Sequence, residues 1–396
     1  MDMIWAGIDA GKTHHHCVAI DESGRRLLSR RVANDEPELL ELLADVLALG
    51  DEVPWGIDLA DGGAALAIAI LINHGQPVRY ISGRAIHRAS EGYRGEGKTD
   101  AKDASVIADQ ARMRRDLHPL RTGDETVTDL KILTGRRMDL VADRTRTVNR
   151  LRAQLTDIFP GLERALDLTN TGPLMLLTGY QTPASLRPAG RKRLETWLRN
   201  RKVLRSDRLA ETALEAAGRQ HTSLPGEKLT AQMVHTLARE VMALNQQVSE
   251  LDKAIEARFR EHRDFEVITS MPGLGVILGA EFLAATGGDM SLFGTPDRLA
   301  GFGGVAPVPR DSGKISGNLR RPRRYNRRLQ RVFYISALFS IRHCENSRRF
   351  YERKRTEGKR HIQAVLALAR RRVNVIWALL RDGRTYEAVP PTVLTA

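Results

Sequence analysis

Residues 97–104 hold two carboxylates three positions apart, Asp100 and Asp103, at the predicted start of a helix. Residues i and i+3 of a helix share a face, so both side chains can point at one place. Two acids aimed at one place need a shared proton or a cation, commonly magnesium. Thr99 is also a good N-cap, and Asp100 suits the helix dipole. In isolation the stretch is therefore explained more simply as a helix start.

Two further carboxylates follow apolar runs of strand character. Asp9 ends the first run, and Asp58 follows a later, buried one. These acids can converge with Asp100 and Asp103 although they are distant in sequence, which suits phosphoryl transfer assisted by two metal ions. Asp61 competes with Asp58 for the same role, since either is also explained as a loop or cap acid.

A serine lies in the most basic part of the chain, in the turn Asp311-Ser312-Gly313. Residues 310–331 contain one acid and nine basic residues, namely Arg310, Lys314, Arg320, Arg321, Arg323, Arg324, Arg327, Arg328 and Arg331. We expect the first eight to contact a nucleic acid, whose phosphates are the natural counter-charge. A hydroxyl held there beside phosphates and arginines can serve as a nucleophile. Ser-Gly turns are common, so the spacing alone favours an ordinary turn.

The composition points to a polyanionic partner. The 396 residues include 62 Lys and Arg against 48 Asp and Glu, a net charge of +14, and 42% hydrophobic residues, enough for a buried core. Cys17 and Cys344 cannot form a Cys-x-x-Cys metal site, and we expect both to be reduced and structural. No apolar segment reaches membrane-spanning length and no leader pattern is present, so we expect a cytoplasmic protein without a membrane partner.

The N-terminal elements must position the acids. The patterns of residues 1–122 predict the order β-β-β-α-β-α-β-α, which is the ribonuclease-H-like α/β arrangement. Residues 6–13 nearly match a phosphate-binding loop and are also close to the phosphate turn of actin-like ATPases. Because His14 to Ile20 read as a strand rather than a helix, the phosphate loop is disfavoured. Alternation across that strand also keeps His14, His15 and His16 from facing one metal ion.

Long helices are predicted between this domain and the basic turn. Weak heptad character spans residues 127–158, with Arg137 and Arg144 on the apolar seam. A clearer heptad pattern of a coiled coil or helical hairpin follows in Val234, Leu237, Val241, Leu244, Val248, Leu251 and Ile255. We expect the two stretches to pack on each other or on a second subunit. A basic helix near residues 191–205 is explained equally well as a solvated face or as a nucleic-acid contact.

Five motifs together resemble the insertion-sequence one-ten family of transposases, which includes the Piv-type DNA invertases. They are Gly7-Ile8-Asp9-Ala10-Gly11-Lys12, Gly56-Ile57-Asp58, Lys98-Thr99-Asp100-Ala101-Lys102-Asp103-Ala104, Pro272-Gly273-Leu274-Gly275, and Gly304-Val305-Ala306-Pro307 through Ser312-Gly313-Lys314. They occur in the family's order between about residues 4 and 380.

The resemblance implies three domains: a RuvC-like domain with a DEDD acid set (1–122), a helical, coiled-coil linker and insert (123–264), and a mainly helical C-terminal transposase domain with a serine nucleophile (265–396). It makes Asp9, Asp100 and Asp103 the first, third and fourth acids and Ser312 the nucleophile. The second acid is usually glutamate in the family, and here Asp58 is one methylene shorter. Family members also use a structured bridge RNA that pairs with target and donor DNA.

We therefore expect a magnesium-dependent DNA recombinase that acts on double-stranded DNA as a homo-oligomer, a dimer or a tetramer. Asp9, Asp58, Asp100 and Asp103 would hold the metal, and Ser312 of the same chain or another subunit would attack the phosphate. The alternatives are a RuvC-like nuclease of branched DNA that needs no serine, an actin-like ATPase, and a non-catalytic nucleic-acid binder.

Overall fold

The computed structural model describes residues 3–50, 52–60, 62–93, 97, 99–117, 119–120, 124–313 and 316–388. The chain forms two compact units, Met1–Gly123 and Asp124–Ala396. Three expected residues, Asp61, Lys98 and Lys314, lie outside the described residues. The division into three domains stays a prediction.

The N-terminal unit is built on a mixed β-sheet. Its elements are β1 (Trp5–Ala10), β2 (His14–Ile20), β3 (Arg26–Ala33), α1 (Glu36–Leu47), β4 (Trp55–Ile57), α2 (Ala65–Asn73), β5 (Val78–Tyr80), α3 (Gly83–Ser90) and α4 (Asp100–Met113). In the described part of the unit the strand order is β3-β2-β1-β4-β5. The β1–β2 and β2–β3 pairs are antiparallel, whereas β1, β4 and β5 run parallel. This confirms the expected α/β arrangement, to which α3 is an unpredicted addition.

The two faces of this sheet are covered differently. Alternate residues of β1, Ala6 and Ile8, lie in a buried apolar cluster with α1 and α2. Gly7 points to the other face, where a Cβ atom would lie 2.3 Å from both the Ala104 carbonyl oxygen and the Ala108 nitrogen of α4. On β4, a Cβ at Gly56 would lie 2.9 Å from a side-chain methyl of Ile107. The two glycines therefore let α4 approach the strands more closely than side chains would allow.

The predicted cap of α4 is confirmed. Thr99 has extended backbone angles, and its side-chain oxygen accepts a hydrogen bond from the Lys102 backbone N–H at 3.2 Å. The cap satisfies one of the unpaired donors of the first turn and fixes where the helix begins. It thereby places Asp100 at the first helical position and Asp103 one turn later.

The second unit is mostly helical. It contains α5 (Glu125–Ile158), α6 (Pro160–Ala165), α7 (Thr171–Leu177), α8 (Pro183–Leu186), α9 (Gly190–Asn200), α10 (Ser206–Gly218), α11 (Glu227–Arg260), α12 (Phe265–Ser270), α13 (Val276–Thr286), α14 (Pro296–Phe302), β6 (Val308–Pro309), β7 (Leu319–Arg320), α15 (Arg327–His343), α16 (Glu345–Thr356) and α17 (His361–Asp382). One buried cluster joins α6 to α10 with adjoining parts of α5 and α11, and another joins α12 to α17 with the remaining ends of those two helices.

The two longest helices, α5 and α11, pack antiparallel on each other, which confirms that the two heptad stretches meet. Arg137 forms an ion pair with Asp252, and Arg144 donates a hydrogen bond to the Asn245 side chain at 3.3 Å. The arginines that interrupt the apolar seam are thus paired across the helix interface. That α5 and α11 form a coiled coil stays a prediction.

Two smaller expectations concern cysteines and membranes. Cys17 and Cys344 are both free and buried, as a structural role requires. In the part of the chain that the structure describes, every helix is too short or too polar to cross a bilayer.

Replacing Gly7 with Ala is expected to destabilise the N-terminal unit, because the new methyl group would collide with the backbone of α4. Overpacking of this kind typically costs about 1–3 kcal/mol, and a backbone obstacle favours the upper end. Thermal unfolding measures the effect. Gly83→Ala is the matched control because nothing lies within 4 Å of its added Cβ. Equal stability of the two variants would contradict the tight packing at Gly7.

Candidate active site

The ends of two parallel strands bring the first two acids together. Asp9 is the penultimate residue of β1, and Asp58 directly follows β4. Ile8 is paired with Ile57 in the parallel register, so the next residues of both strands are neighbours. The Ala10 backbone N–H donates a hydrogen bond to Asp58 Oδ1 at 2.9 Å, which ties the second acid to the end of β1.

The first turn of α4 adds a third carboxylate. Asp103 lines the same pocket as Asp9 and Asp58, with a volume of about 660 Å³. The other lining residues are Gly83, Ile86, His87, Ser90, Glu91, Tyr93, Gly97 and Lys102. Three of the four acids predicted from the sequence therefore share one pocket.

Asp100 is not among the residues that line this pocket. It is the exposed first residue of α4, on the side of the neighbouring strand β2. Burial lowers the pKa of His16 on that strand, and the negative charge of Asp100 opposes the shift. Of the two acids at the start of α4, Asp103 lines the pocket together with Asp9 and Asp58, whereas Asp100 is not a lining residue.

The surroundings of Asp58 in the pocket disfavour its negative charge. Burial raises the pKa of Asp58, and the charge of Asp103 raises it further, while the hydrogen bond from Ala10 opposes both. Carboxylate oxygens are the ligands that divalent cations such as magnesium prefer. The donor chemistry therefore fits such a cation. Among the described residues, however, no three or more His, Cys, Asp or Glu side chains are grouped closely enough to hold a metal ion as they stand.

Several residues of the pocket were not predicted. The phenol of Tyr93 donates a short hydrogen bond to Asp109 on α4, and burial, followed by the carboxylate, raises its pKa to about 12. Tyr93 therefore fixes one wall of the pocket to α4. Lys102 and His87 are also lining residues. Lys102 directly precedes Asp103 in a stretch already singled out for its acids, and this position was the available signal.

Buried polar groups lie behind the pocket. His15 is 1% exposed, and neither of its ring nitrogens has a hydrogen-bond partner among the residues that the structure describes. Burial lowers its pKa, whereas Asn34 and the charge of Asp58 oppose that shift. The Asn34 amide donates to the carbonyls of Lys12 and Gly63 at 3.2 and 2.9 Å. Asn34 thus fixes the turn after β1. The element that follows this turn is strand β2 and not a helix, which argues against a phosphate-binding loop.

Ser312 lies in the exposed loop of a short hairpin formed by β6 and β7 in the second unit. The loop is closed by its own polar residues. Asp311 Oδ1 accepts a hydrogen bond from the Asn318 backbone N–H at 2.9 Å, and the Asn318 amide donates to the Arg310 carbonyl at 3.2 Å. These hydrogen bonds hold the loop, and Ser312 is exposed to solvent on it.

The predicted basic residues differ in what they contact. Arg310, Arg320, Arg321, Arg323, Arg324, Arg327 and Arg328 are exposed. Among the described residues, none of these seven has a carboxylate within ion-pair distance. Arg321 instead donates a hydrogen bond to the Tyr325 hydroxyl at 3.0 Å. This surface suits a phosphate backbone.

Arg331, at the end of the basic run, has a protein partner that the sequence did not reveal. It forms an ion pair with Glu281 of α13, which is only 3% exposed. Burial raises the pKa of Glu281, and the charges of Arg331, Arg137 and Arg328 oppose that shift. The charge of Arg331 is thus partly neutralised by the carboxylate of Glu281. Its buried partner lies 50 residues away in sequence and carries no local signal.

Comparisons with known proteins match both ends of the chain. Residues 6–160 match a family model for DEDD transposases, described as "Transposase". Residues 265–352 match the model described as "Transposase IS116/IS110/IS902 family". The two matches contain the pocket acids and Ser312, respectively.

Two relatives match over nearly their full length. The "Insertion element IS900 uncharacterized 42 kDa protein" of Mycobacterium paratuberculosis is 60% identical over 392 residues, covering 98% of each chain. The "Insertion element IS116 uncharacterized 44.8 kDa protein" of Streptomyces clavuligerus is 51% identical over 396 residues, covering 100% of this chain and 99% of the relative.

Among solved structures, the T. thermophilus RuvC in complex with Holliday junction substrate matches with a TM-score of 0.23 and 19% identity. The match covers 30% of this chain and 99% of that one. Because the TM-score is this low, the fold assignment rests on the order and directions of the strands instead.

Asp58→Asn is expected to raise the thermal stability of the protein at neutral pH without divalent metal, because it removes a partly buried charge beside Asp103. The folded state of the wild type binds a proton at Asp58 more tightly than the unfolded state, since the folded pKa is raised. The wild type therefore gains stability as the pH falls through that pKa, and the advantage of the variant shrinks. Thermal unfolding across pH measures this difference.

The same measurement with magnesium is expected to make the wild type more stable than Asp58→Asn. A ligand at 100 times its dissociation constant stabilises a folded protein by about 2.7 kcal/mol. Magnesium is expected to stabilise the wild type and to lose most of this effect in Asp58→Asn. Equal stabilisation of both proteins would show that Asp58 does not hold the ion.

Proposed function

Because the chain belongs to the IS116/IS110/IS902 family of transposases, we propose that it cuts and rejoins the DNA of an insertion element with a metal-assisted serine nucleophile. The observation that supports this most strongly is the meeting of Asp9, Asp58 and Asp103 in one pocket at the ends of adjacent parallel strands. Three carboxylates that line one pocket suit a cation and a phosphate better than a structural role.

Asp9, Asp58 and Asp103 would hold magnesium, with Asp100 as the fourth proposed acid. Bound there, the cation would neutralise developing negative charge on the phosphate oxygens. The protein's own contribution is to hold these acids close together on rigid elements. Asp58 is fixed by the Ala10 N–H, and Asp103 is fixed by the capped first turn of α4.

Ser312 would attack the scissile phosphate. The Oγ–phosphorus bond forms as the phosphorus–oxygen bond to the neighbouring sugar breaks, the serine loses its proton, and the released sugar oxygen gains one. The resulting phosphoserine link conserves the bond for rejoining, when a DNA hydroxyl displaces the serine. The exposed loop and its arginines support this role, because they leave room for a DNA strand and supply positive charge.

A structured bridge RNA would guide this reaction by pairing with target and donor DNA. Two separate basic regions, the arginines that follow Ser312 and the helix α9, offer surface for more than one nucleic acid. The acting species would be a homo-oligomer, a dimer or a tetramer, so that Ser312 of one copy could serve its own acids or those of another.

Ser312→Ala is expected to abolish the covalent protein–DNA adduct and to leave nucleic-acid binding intact, because only the attacking oxygen is lost. Denaturing gel electrophoresis of reactions with labelled DNA detects the adduct. Ser316→Ala is the matched control, since Ser316 is an exposed serine of the same hairpin loop. An adduct that survives in Ser312→Ala would refute the serine assignment. Free DNA ends from a fully active variant would favour a RuvC-like nuclease.

Asp103→Asn is expected to reduce strand cleavage by about 100-fold or more, because it removes a carboxylate from the pocket. Asp100→Asn is the matched control, because it removes the same kind of side chain one turn earlier, at a position that does not line the pocket. Comparing the two variants shows whether the pocket itself or only the start of α4 matters for cleavage. A smaller loss in Asp100→Asn would assign the metal to the three acids of the pocket. Full activity of Asp103→Asn would contradict the proposed site.

A further inference from the structure

The connection between α9 and α10 presents an apolar side chain to solvent among cations. We define residues 201–205, Arg-Lys-Val-Leu-Arg, as the insert tip. Leu204 is 89% exposed, the highest value for a large hydrophobic residue in the described part of the chain. Because exposed cations flank Leu204 on both sides, this apolar side chain is placed where a nucleic acid could receive it between its base steps.

The backbone of the tip is strained at a lysine. Lys202 has φ = 58°. Its N–H donates to the Arg199 carbonyl at 2.9 Å, and the Val203 N–H donates to the Leu198 carbonyl at 3.1 Å. This is the Schellman pattern of a helix end, in which the left-handed position is usually glycine. Here a long cationic side chain occupies that position.

A second cation is strained on the other side of Leu204. Arg205 has φ = 54° and precedes α10 as its N-cap without a capping hydrogen bond from its side chain. Ser, Thr, Asp or Asn is preferred at that position because their side chains can cap the helix. Left-handed residues with a Cβ persist where the surroundings hold them, often at functional positions. The chain thus keeps Lys202 and Arg205 against local preference.

The base of the tip is rigid. The ring of Trp197 lies so close to Gly179 that a Cβ there would be 2.4 Å from it, and it meets Tyr180 edge to face with centroids 5.3 Å apart. The Arg201 guanidinium lies 3.8 Å from the centre of the Trp197 ring. Val203 packs against the buried cluster of the insert. Leu204 and its flanking cations are therefore presented from a fixed support.

The positive charge around the insert tip favours a negatively charged partner. Lys202, Arg205 and the following Arg208 are exposed, and among the described residues none has a carboxylate within ion-pair distance. The neighbouring acid on α10, Asp207, is exposed as well. Duplex DNA offers phosphates to such cations and a stack of bases whose steps accept an apolar wedge.

We propose that the insert tip binds duplex DNA, with Lys202 and Arg205 on the phosphates and Leu204 inserted between base pairs, so that the helix is bent there. This inference rests on the proposed function for its substrate but not on Ser312 or the acids. It gives the insert a role in shaping the DNA that is cut elsewhere on the protein.

The cationic part is tested with full-length protein and an end-labelled 30-base-pair DNA duplex of mixed sequence. Lys202→Gly with Arg205→Gly removes both charges while relieving the backbone strain, so folding is preserved. The dependence of log affinity on log salt concentration is expected to become shallower by about 2, roughly 0.9 per lost phosphate contact. Lys228→Ala with Lys253→Ala removes two exposed lysines elsewhere and is expected to leave the slope unchanged.

The wedge is tested by energy transfer between dyes at the two ends of the same duplex. Wild-type protein is expected to increase the transfer by bending the DNA, and Leu204→Ala is expected to lose most of that increase at saturating protein. Leu229→Ala, which changes another exposed leucine, serves as the control. Unchanged bending by Leu204→Ala, or an unchanged salt slope in the double glycine variant, would overturn the proposal.

Three further outcomes separate this proposal from an RNA contact and from the proposed function. If the double glycine variant lost binding to a duplex RNA of the same length but bound DNA as the wild type does, the proposal would be overturned in favour of an RNA contact. A double glycine variant that binds DNA more weakly yet forms the Ser312 adduct at saturating protein would support it and leave the serine mechanism intact. Absence of the adduct in the wild type would count against the proposed function alone.

Discussion

Helix α4 can lie directly against strands β1 and β4 because Gly7 and Gly56 carry no side chain. The close approach, within 2.3 Å of where a Cβ of Gly7 would stand, sets the height of the helix above the sheet. The cap at Thr99 then sets where the helix begins. These two constraints decide which residue of its first turn meets the strand ends, and that residue is Asp103.

The chemistry follows from this geometry. Parallel strands β1 and β4 present Asp9 and Asp58 at one edge, and α4 adds the third carboxylate. Burial raises the pKa of Asp58, and the charge of Asp103 adds to that shift. In the proposed reaction, a divalent cation beside these acids would favour their ionised form. In the proposed reaction, the second unit would supply the nucleophile, the exposed Ser312, which lies on a loop followed by arginines.

Local signals explain what the sequence predicted correctly. The residue pattern of His14 to Ile20 predicted strand β2, and Thr99 predicted the helix start, because both features depend on neighbours in the chain. The way α4 packs on the strands, by contrast, brings Gly7 against Ala104, and these residues are almost a hundred positions apart in sequence. The pairing of Arg331 with Glu281 and the burial of His15 are tertiary features of the same kind. The charge pattern alone therefore gave no sign of the protein partner of Arg331.

The central claim is that Asp9, Asp58 and Asp103 form the metal site at which DNA is cut. The most direct measurement is anomalous diffraction from crystals of the protein with duplex DNA and Mn²⁺, which replaces magnesium and scatters anomalously. The account predicts an anomalous peak among these three carboxylates beside a DNA phosphate. A peak at another site, with this pocket empty in crystals whose protein is active in solution, would contradict it.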